Sequence, residues 1–456
     1  MKRFIRKVAV LGSGVMGSRI ACHFANVGCE VLLLDIAPKE LDATETKKGL
    51  SLESPAVRNR IVNQSLQFAL KSNPSPIYLK SFASRIETGN FDDDLHKIKD
   101  CDWVIEVIIE RLDIKQQLFE KVELHRKEGT LISSNTSGIP INMMLDGRSE
   151  DFQKHFCGTH FFNPPRYLQL LEIIPTPKTD QSVVDFLMDY GAKILGKKTV
   201  LCKDTPAFIA NRVGVYSIMA LFHAVKEMGF SVSEVDKLSG PILGRPKSAT
   251  FRTCDVVGLD TLVHVANGLK QNCPDDEEKD LFELPEYISK MVENNWLGSK
   301  SGQGFYKKEK DENGKKTILA LDLETLEYKK PEKVKFPTLE MAKPIEDLKQ
   351  RTKMLVMGMD KAGEFYRRIF GGLLAYVSNR IPEISDEFYK IDDALKAGFG
   401  WELGPFESWD LFGYEQGVKF IKDANKTMGA AIDEMRAAGM TSFYKSENGR
   451  KMFFDV

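Results

Sequence analysis

The residues KVAVLGSGVMGSRIACHFANVGCEVLLLD at positions 7–35 constrain this chain more than any other stretch. They read as an apolar strand, a Gly-x-Gly-x-x-Gly turn at Gly12, Gly14 and Gly17, a helix, and a second apolar strand ending on Asp35. Gly12 permits a tight turn out of the strand, Gly14 leaves no side chain between the backbone and an approaching pyrophosphate, and Gly17 lets the helix lie close to the sheet. The helix start at Val15 and Met16 offers free N–H groups and a positive dipole end to phosphate. Asp35 is placed to accept hydrogen bonds from ribose hydroxyls and to repel a 2′-phosphate. The pattern therefore implies NAD rather than NADP.

With 456 residues the chain is long enough for two or three domains, each with its own core. Its 64 basic and 65 acidic residues imply no nucleic-acid partner, and the charged run at 307–316 reads as a solvated loop. Seven cysteines, without metal-ligand spacing, sit mostly in apolar or helical stretches and read as reduced thiols. No metal site is expected. The N-terminus has the basic head and apolar centre of a signal peptide, but cleavage there would destroy the first strand and glycine turn. The expected location is therefore the cytoplasm. No apolar run is long enough to span a membrane.

Further strands at 103–109, 130–133 and 159–162 alternate with helical segments such as 114–126. That alternation predicts an α/β fold, a Rossmann-type doubly wound sheet over residues 1–202. Residues 41–85 form a polar, mostly helical excursion broken at Pro74 and Pro76, either a flap over the substrate or a structural insertion. Pro206, behind Asp204 and Thr205 as caps, reads as the start of a helix with an apolar run over 208–227. A first helical domain is assigned to 203–310, a charged connector to 311–345 and a second helical domain to 346–456. FRTCDVVG at 251–258 matches FESWDLFG at 406–413, and GFYKKEKDENGKK at 304–316 is echoed by SFYKSENGRK at 442–451. The shared order predicts two related all-α domains made by duplication.

SSNTSGIPI at 133–141, GTHFFNPP at 158–165 followed by LLEIIPT at 170–176, and CKDTPAFIANR at 202–212 resemble the 3-hydroxyacyl-CoA dehydrogenase family, as do GQGFY at 302–306 and GPFE at 404–407. The resemblance covers nearly the whole chain. With its duplicated helical region, the chain is similar to the dehydrogenase part of multifunctional fatty-acid β-oxidation proteins. It implies NAD-dependent, reversible oxidation of an (S)-3-hydroxyacyl-CoA to the 3-oxoacyl-CoA. His160, at a strand end, is then the general base, a task suited to an imidazole. Glu172 is its orienting partner. Ser137 and Asn211 match the two polar residues that hold the substrate oxygen, and Glu110, Lys115 and Asn163 match cofactor contacts. From the residues alone, Ser137 reads as a turn or helix cap and Asn211 as a polar residue on the first turns of a helix, while Glu110 with Lys115 reads equally as an exposed helix-start pair. His23, His96, His125, His155, His223 and His264 show no partner spacing.

The excursion at 41–85 does not align with the family's coenzyme A contacts. GPILGRPKSATFRTCD in the first helical domain departs from the compact GPFE type of segment, which leaves the acyl pocket and chain length open. The resemblance implies an acyl-CoA thioester substrate and a possible enoyl-CoA hydratase or thiolase partner. It leaves a monomer with an internal pseudo-dimer, or a homodimer. Two other readings are a short-chain 3-hydroxybutyryl-CoA dehydrogenase of another pathway and a noncatalytic NADH-binding or structural protein on the same scaffold. Intact Ser137, His160, Glu172 and Asn211 argue against the latter.

Overall fold

A computed structural model describes residues 3–310, 314, 316–332 and 334–454. They fall into two compact units, Met1–Phe208 and Ile209–Val456.

The first unit is built on eight strands: β1 (Lys7–Leu11), β2 (Glu30–Asp35), β3 (Ile86–Asn90), β4 (Trp103–Glu106), β5 (Leu131–Ser134), β6 (Phe156–Phe161), β7 (Leu170–Pro175) and β8 (Lys198–Leu201). They lie in the order β3-β2-β1-β4-β5-β6-β7-β8. All neighbours are parallel except β6 and β7, which run antiparallel. The interior strands read as continuous apolar runs because helices cover both faces, and Val8 to Leu11 and Val31 to Leu34 are accordingly buried. From β1 the chain builds β2 and β3 on one side, then crosses to β4 on the other. The crevice at the carboxyl ends of β1 and β4 is thus the topological switch point, where ligands of such sheets bind.

Residues 41–85 carry the helices Ala43–Lys47, Pro55–Arg58 and Arg60–Lys71 and the short 3-10 turn Lys80–Arg85. The expected cap at Asp204 is not formed. Its carboxylate instead accepts from Ile141 N–H at 2.7 Å and Asn142 N–H at 2.8 Å, capping a different turn, while the following helix starts only at Ala210. A free carboxylate serves whichever unsatisfied helical N–H groups tertiary folding brings to it.

The second unit is helical, with long helices at Ala210–Glu227 and Lys361–Asn379. The run at 307–316, expected to be a loop, is largely strand: Tyr306–Lys310 pairs antiparallel with Lys316–Leu321, and Tyr328–Lys329 adds a third strand. Part of that run, residues 311–313 and 315, lies outside the described residues. The chain ends in a second ribbon, Tyr444–Glu447 with Arg450–Phe453.

The matching motifs do matching work. Asp255 accepts from Phe305 N–H at 2.8 Å and Tyr306 N–H at 2.9 Å, and Asp410 accepts from Phe443 and Tyr444 N–H, both at 2.8 Å. Tyr306 and Tyr444 each donate a hydroxyl at 2.8 Å to a further carboxylate, the half-buried Asp236 and the buried Asp392. The two repeats are thus assembled by the same carboxylate clamps. A buried ion cluster joins them: Arg212 donates to Asp276 at 2.7 Å and to Tyr376 Oη at 2.6 Å, and Arg380 lies 3.1 Å from Asp276.

Candidate active site

The glycine turn fits a dinucleotide. Gly12 has φ +106°, and a Cβ there would collide with Val107 O at 2.5 Å. A Cβ at Gly17 would overlap the Gly12 carbonyl, whereas at Gly14 it would point into open space among the described residues. The helix Val15–Asn26 has neither a side-chain cap nor an acid in its first turn, so its leading N–H groups, at the half-buried Met16 and exposed Val15, stay available to an anion. Asp35, half-buried at the end of β2, accepts from Ser13 N–H at 2.6 Å and Ile36 N–H at 2.7 Å. Its carboxylate therefore sits at the turn itself.

His160 and Glu172 are directly opposed in the β6/β7 ladder, which puts both side chains on one face of the sheet. His160 Nδ1 is 2.7 Å from Glu172 Oε2, and both residues are buried. The carboxylate can only accept, so Nδ1 carries the proton and Nε2 is left as the basic atom. Ser137 Oγ lies 3.1 Å from that Nε2. Phe162 and Phe208 flank the imidazole, with ring centroids 4.6 and 5.6 Å away.

Ser137 sits in a turn organised by Glu110. Glu110 Oε1 accepts from Thr136 Oγ1 at 2.5 Å, Ser137 N–H at 2.9 Å and Gly138 N–H at 3.2 Å. Burial alone would raise this carboxyl, but Lys115, the Thr136 hydroxyl and Ser137 N–H outweigh it and hold Glu110 below the ordinary glutamate value. Lys115, only 1% exposed, is bound at 2.6 Å to Glu106 and at 3.3 Å to Glu110. Glu106, fully buried, also takes the Ser134 hydroxyl and Ile108 N–H, and burial pushes its pKa up against these partners. An unbroken polar chain therefore runs from Glu106 through Lys115, Glu110, Ser137 and His160 to Glu172.

Asn163 is exposed just beyond β6, and Asn211 is half-buried on the first turn of Ala210–Glu227 in the second unit. Glu106, Thr136 and Lys197 escaped the sequence reading. Glu106 had a signal: a carboxylate inside the apolar run WVIEVII must find a partner.

A profile of the 3-hydroxyacyl-CoA dehydrogenase NAD-binding domain matches residues 7–205, and one of the C-terminal domain matches 208–308. A probable 3-hydroxyacyl-CoA dehydrogenase of Bacillus subtilis is 48% identical over 455 residues, all of this chain and 57% of that protein. One from Deinococcus radiodurans is 48% identical over 311 residues, covering 68% of this chain and 85% of that protein. Among solved structures, the 3-hydroxybutyryl-CoA dehydrogenase of Escherichia coli has the same fold over 96% of both chains, with a TM-score of 0.61 at 21% identity. A two-unit chain with a dinucleotide crevice and a buried His–Glu dyad is a nicotinamide-dependent dehydrogenase scaffold. The chain belongs to the 3-hydroxyacyl-CoA dehydrogenase family. It spans just over half the length of the Bacillus relative.

Proposed function

We propose that the protein interconverts (S)-3-hydroxyacyl-CoA and 3-oxoacyl-CoA with NAD, in fatty-acid β-oxidation. The observation that carries the reading is the dyad: a buried carboxylate 2.7 Å from His160 Nδ1, leaving Nε2 to take a proton. The nicotinamide ring, when bound, accepts the hydride from C3. Gly12, Gly14, Val15, Met16 and Gly17 would hold the pyrophosphate, Asp35 the ribose, and Asn163 the nicotinamide side. In the oxidative direction His160 Nε2 removes the 3-hydroxyl proton, and Glu172 stabilises the imidazolium that forms. The Ser137 hydroxyl, already 3.1 Å from Nε2, donates to the substrate's 3-oxygen, and Asn211 is read as a second donor to it. Lys115 and Glu110 act on this reading by fixing the Ser137 turn, since the lysine is buried between two carboxylates.

All seven cysteines are buried thiols, which supports a reducing compartment such as the cytoplasm. No helix among the described residues is long and apolar enough to cross a membrane. Putative fatty acid oxidation complex trifunctional enzymes of Rickettsia match 93% and 89% of the chain at 32% identity, which favours a hydratase or thiolase as a functional partner. The test is NADH consumption with acetoacetyl-CoA and longer 3-oxoacyl-CoAs. Turnover abolished by His160→Gln, with NADH binding retained, is the expected result. NADH binding without turnover at any chain length overturns the reading.

A further inference from the structure

The segment joining β6 to β7, FNPPRYLQ at 162–169, carries His160 on one side and Glu172 on the other. Pro164 and Pro165 deprive it of two backbone donors. Its internal turn is made by Tyr167 N–H and Leu168 N–H, which donate to Pro164 O at 2.9 and 3.0 Å. The carbonyls of Pro165 and Leu168 are left for another donor. Lys197 supplies it, its Nζ donating to Leu168 O at 2.8 Å and to Pro165 O.

The placement follows from the chain. Lys198 opens β8 opposite Leu170, so Lys197 stands beside the end of the connecting segment, and its backbone N–H donates to Gly191 O at 2.9 Å. The side chain is 7% exposed, and its ammonium is 5.9 Å from the centre of the Phe161 ring. Among the described residues no carboxylate offsets its burial, which lowers its pKa to about 8. Taking an ammonium out of water without a counter-ion is unfavourable. An apolar residue would avoid that cost but leave two carbonyls without a donor. On the outer side Arg166 donates to Ser75 O at 2.7 Å and Ile77 O at 3.0 Å, so the segment is gripped from both sides.

We infer that Lys197 is a positioning residue for the proposed reaction, its ammonium holding the Pro165 and Leu168 carbonyls so that the segment keeps His160, Asn163 and Glu172 in their working places. The inference rests on the dehydrogenase reading. The test compares wild type, Lys197→Met and Lys197→Gln by turnover of acetoacetyl-CoA with NADH, normalised to titrated NADH-binding sites, and by amide exchange over 162–169.

Lys197→Met is expected to lower kcat per NADH site roughly 10- to 100-fold, with KM for acetoacetyl-CoA changing less than about threefold. Exchange should accelerate within 162–169 and stay unchanged in β1 and β2. Wild-type kcat per site in a folded Lys197→Met protein overturns the inference. So does a lowered kcat with unaltered exchange at 162–169. If the methionine variant does not fold, the same readings on Lys197→Gln, which keeps an amide donor without the charge, decide in the same way. A wild type without turnover refutes the dehydrogenase reading instead, and the exchange comparison still decides whether Lys197 holds the segment.

Discussion

In the first helical repeat Asp236 and Asp255 gather backbone N–H groups and the Tyr306 hydroxyl; in the second, Asp392 and Asp410 do the same with Tyr444. Counting back equally from Asp236 and Asp392 brings Asn211 opposite Arg367, and Arg212 opposite Arg368. There the likeness stops. Arg212 is buried in a cluster with Asp276 and Tyr376, whereas Arg368 pairs with Glu227 at the surface. Arg367 donates to the carbonyls of Val356 and Gly358, a structural use, where the first repeat has a half-buried amide. Duplication has kept the groups that backbone donors demand. It has not kept the side chain whose proposed worth lies in the reaction.

The sharpest way to break this contrast is to exchange the roles. Asn211→Ala should lower kcat by 10²–10³-fold, about 3–4 kcal/mol, as loss of one oxyanion donor does. Arg367→Ala should leave kcat per folded molecule unchanged. Equal losses in the two variants, measured by steady-state kinetics on folded protein, would erase the distinction.

Arg212→Met should cost about 3 kcal/mol of unfolding free energy, because Asp276 loses a buried cationic partner and keeps Arg380 with the Tyr376 hydroxyl and Glu278 N–H. Arg368→Met should change stability by less than about 1 kcal/mol, the usual worth of an exposed pair. Urea unfolding midpoints would show an inverted order if the second repeat, rather than the first, held the buried anchor.

The smallest effect is on pH dependence. Burial raises Asp236 to about 6 and Asp392 to about 7, from an ordinary value of 3.8. In each case the folded state holds a proton that the unfolded state has released, so stability falls as pH rises from about 4 to the folded value. The slope can reach about 1.4 kcal/mol per pH unit. Asp392→Asn should flatten the curve up to about pH 7, and Asp236→Asn only up to about pH 6. Unchanged slopes in both would show that these carboxyls titrate alike in the two states.

The glycine turn and its flanking strands were legible because their meaning is local: spacing alone states what Gly12, Gly14 and Gly17 do. The pairing of His160 with Glu172 was reached through resemblance, and the antiparallel β6/β7 register supplies its geometry. The role of Asp204 is not legible locally, because a carboxylate near a helix start looks the same whether it caps that helix or a turn more than 60 residues earlier in the chain. The strand Tyr306–Lys310 reads as a loop in sequence because it is charged on both faces and shows no apolar alternation. Glu106 and Lys197 were missed for a related reason. Their partners come from other elements, and nothing adjacent in sequence names them.

The direct opposition of His160 and Glu172 across neighbouring strands also bears on how this lineage can vary. Side chains alternate faces along a strand, so a one-residue slip of β7 against β6 would turn Glu172 away and bring an isoleucine or a leucine to the histidine. Insertions and deletions between the two strands are therefore survivable only when the connecting segment absorbs them without moving the register. Natural length variation should consequently be scarce there and freer between the paired strands Tyr306–Lys310 and Lys316–Leu321, where a slip moves mostly exposed or half-exposed side chains.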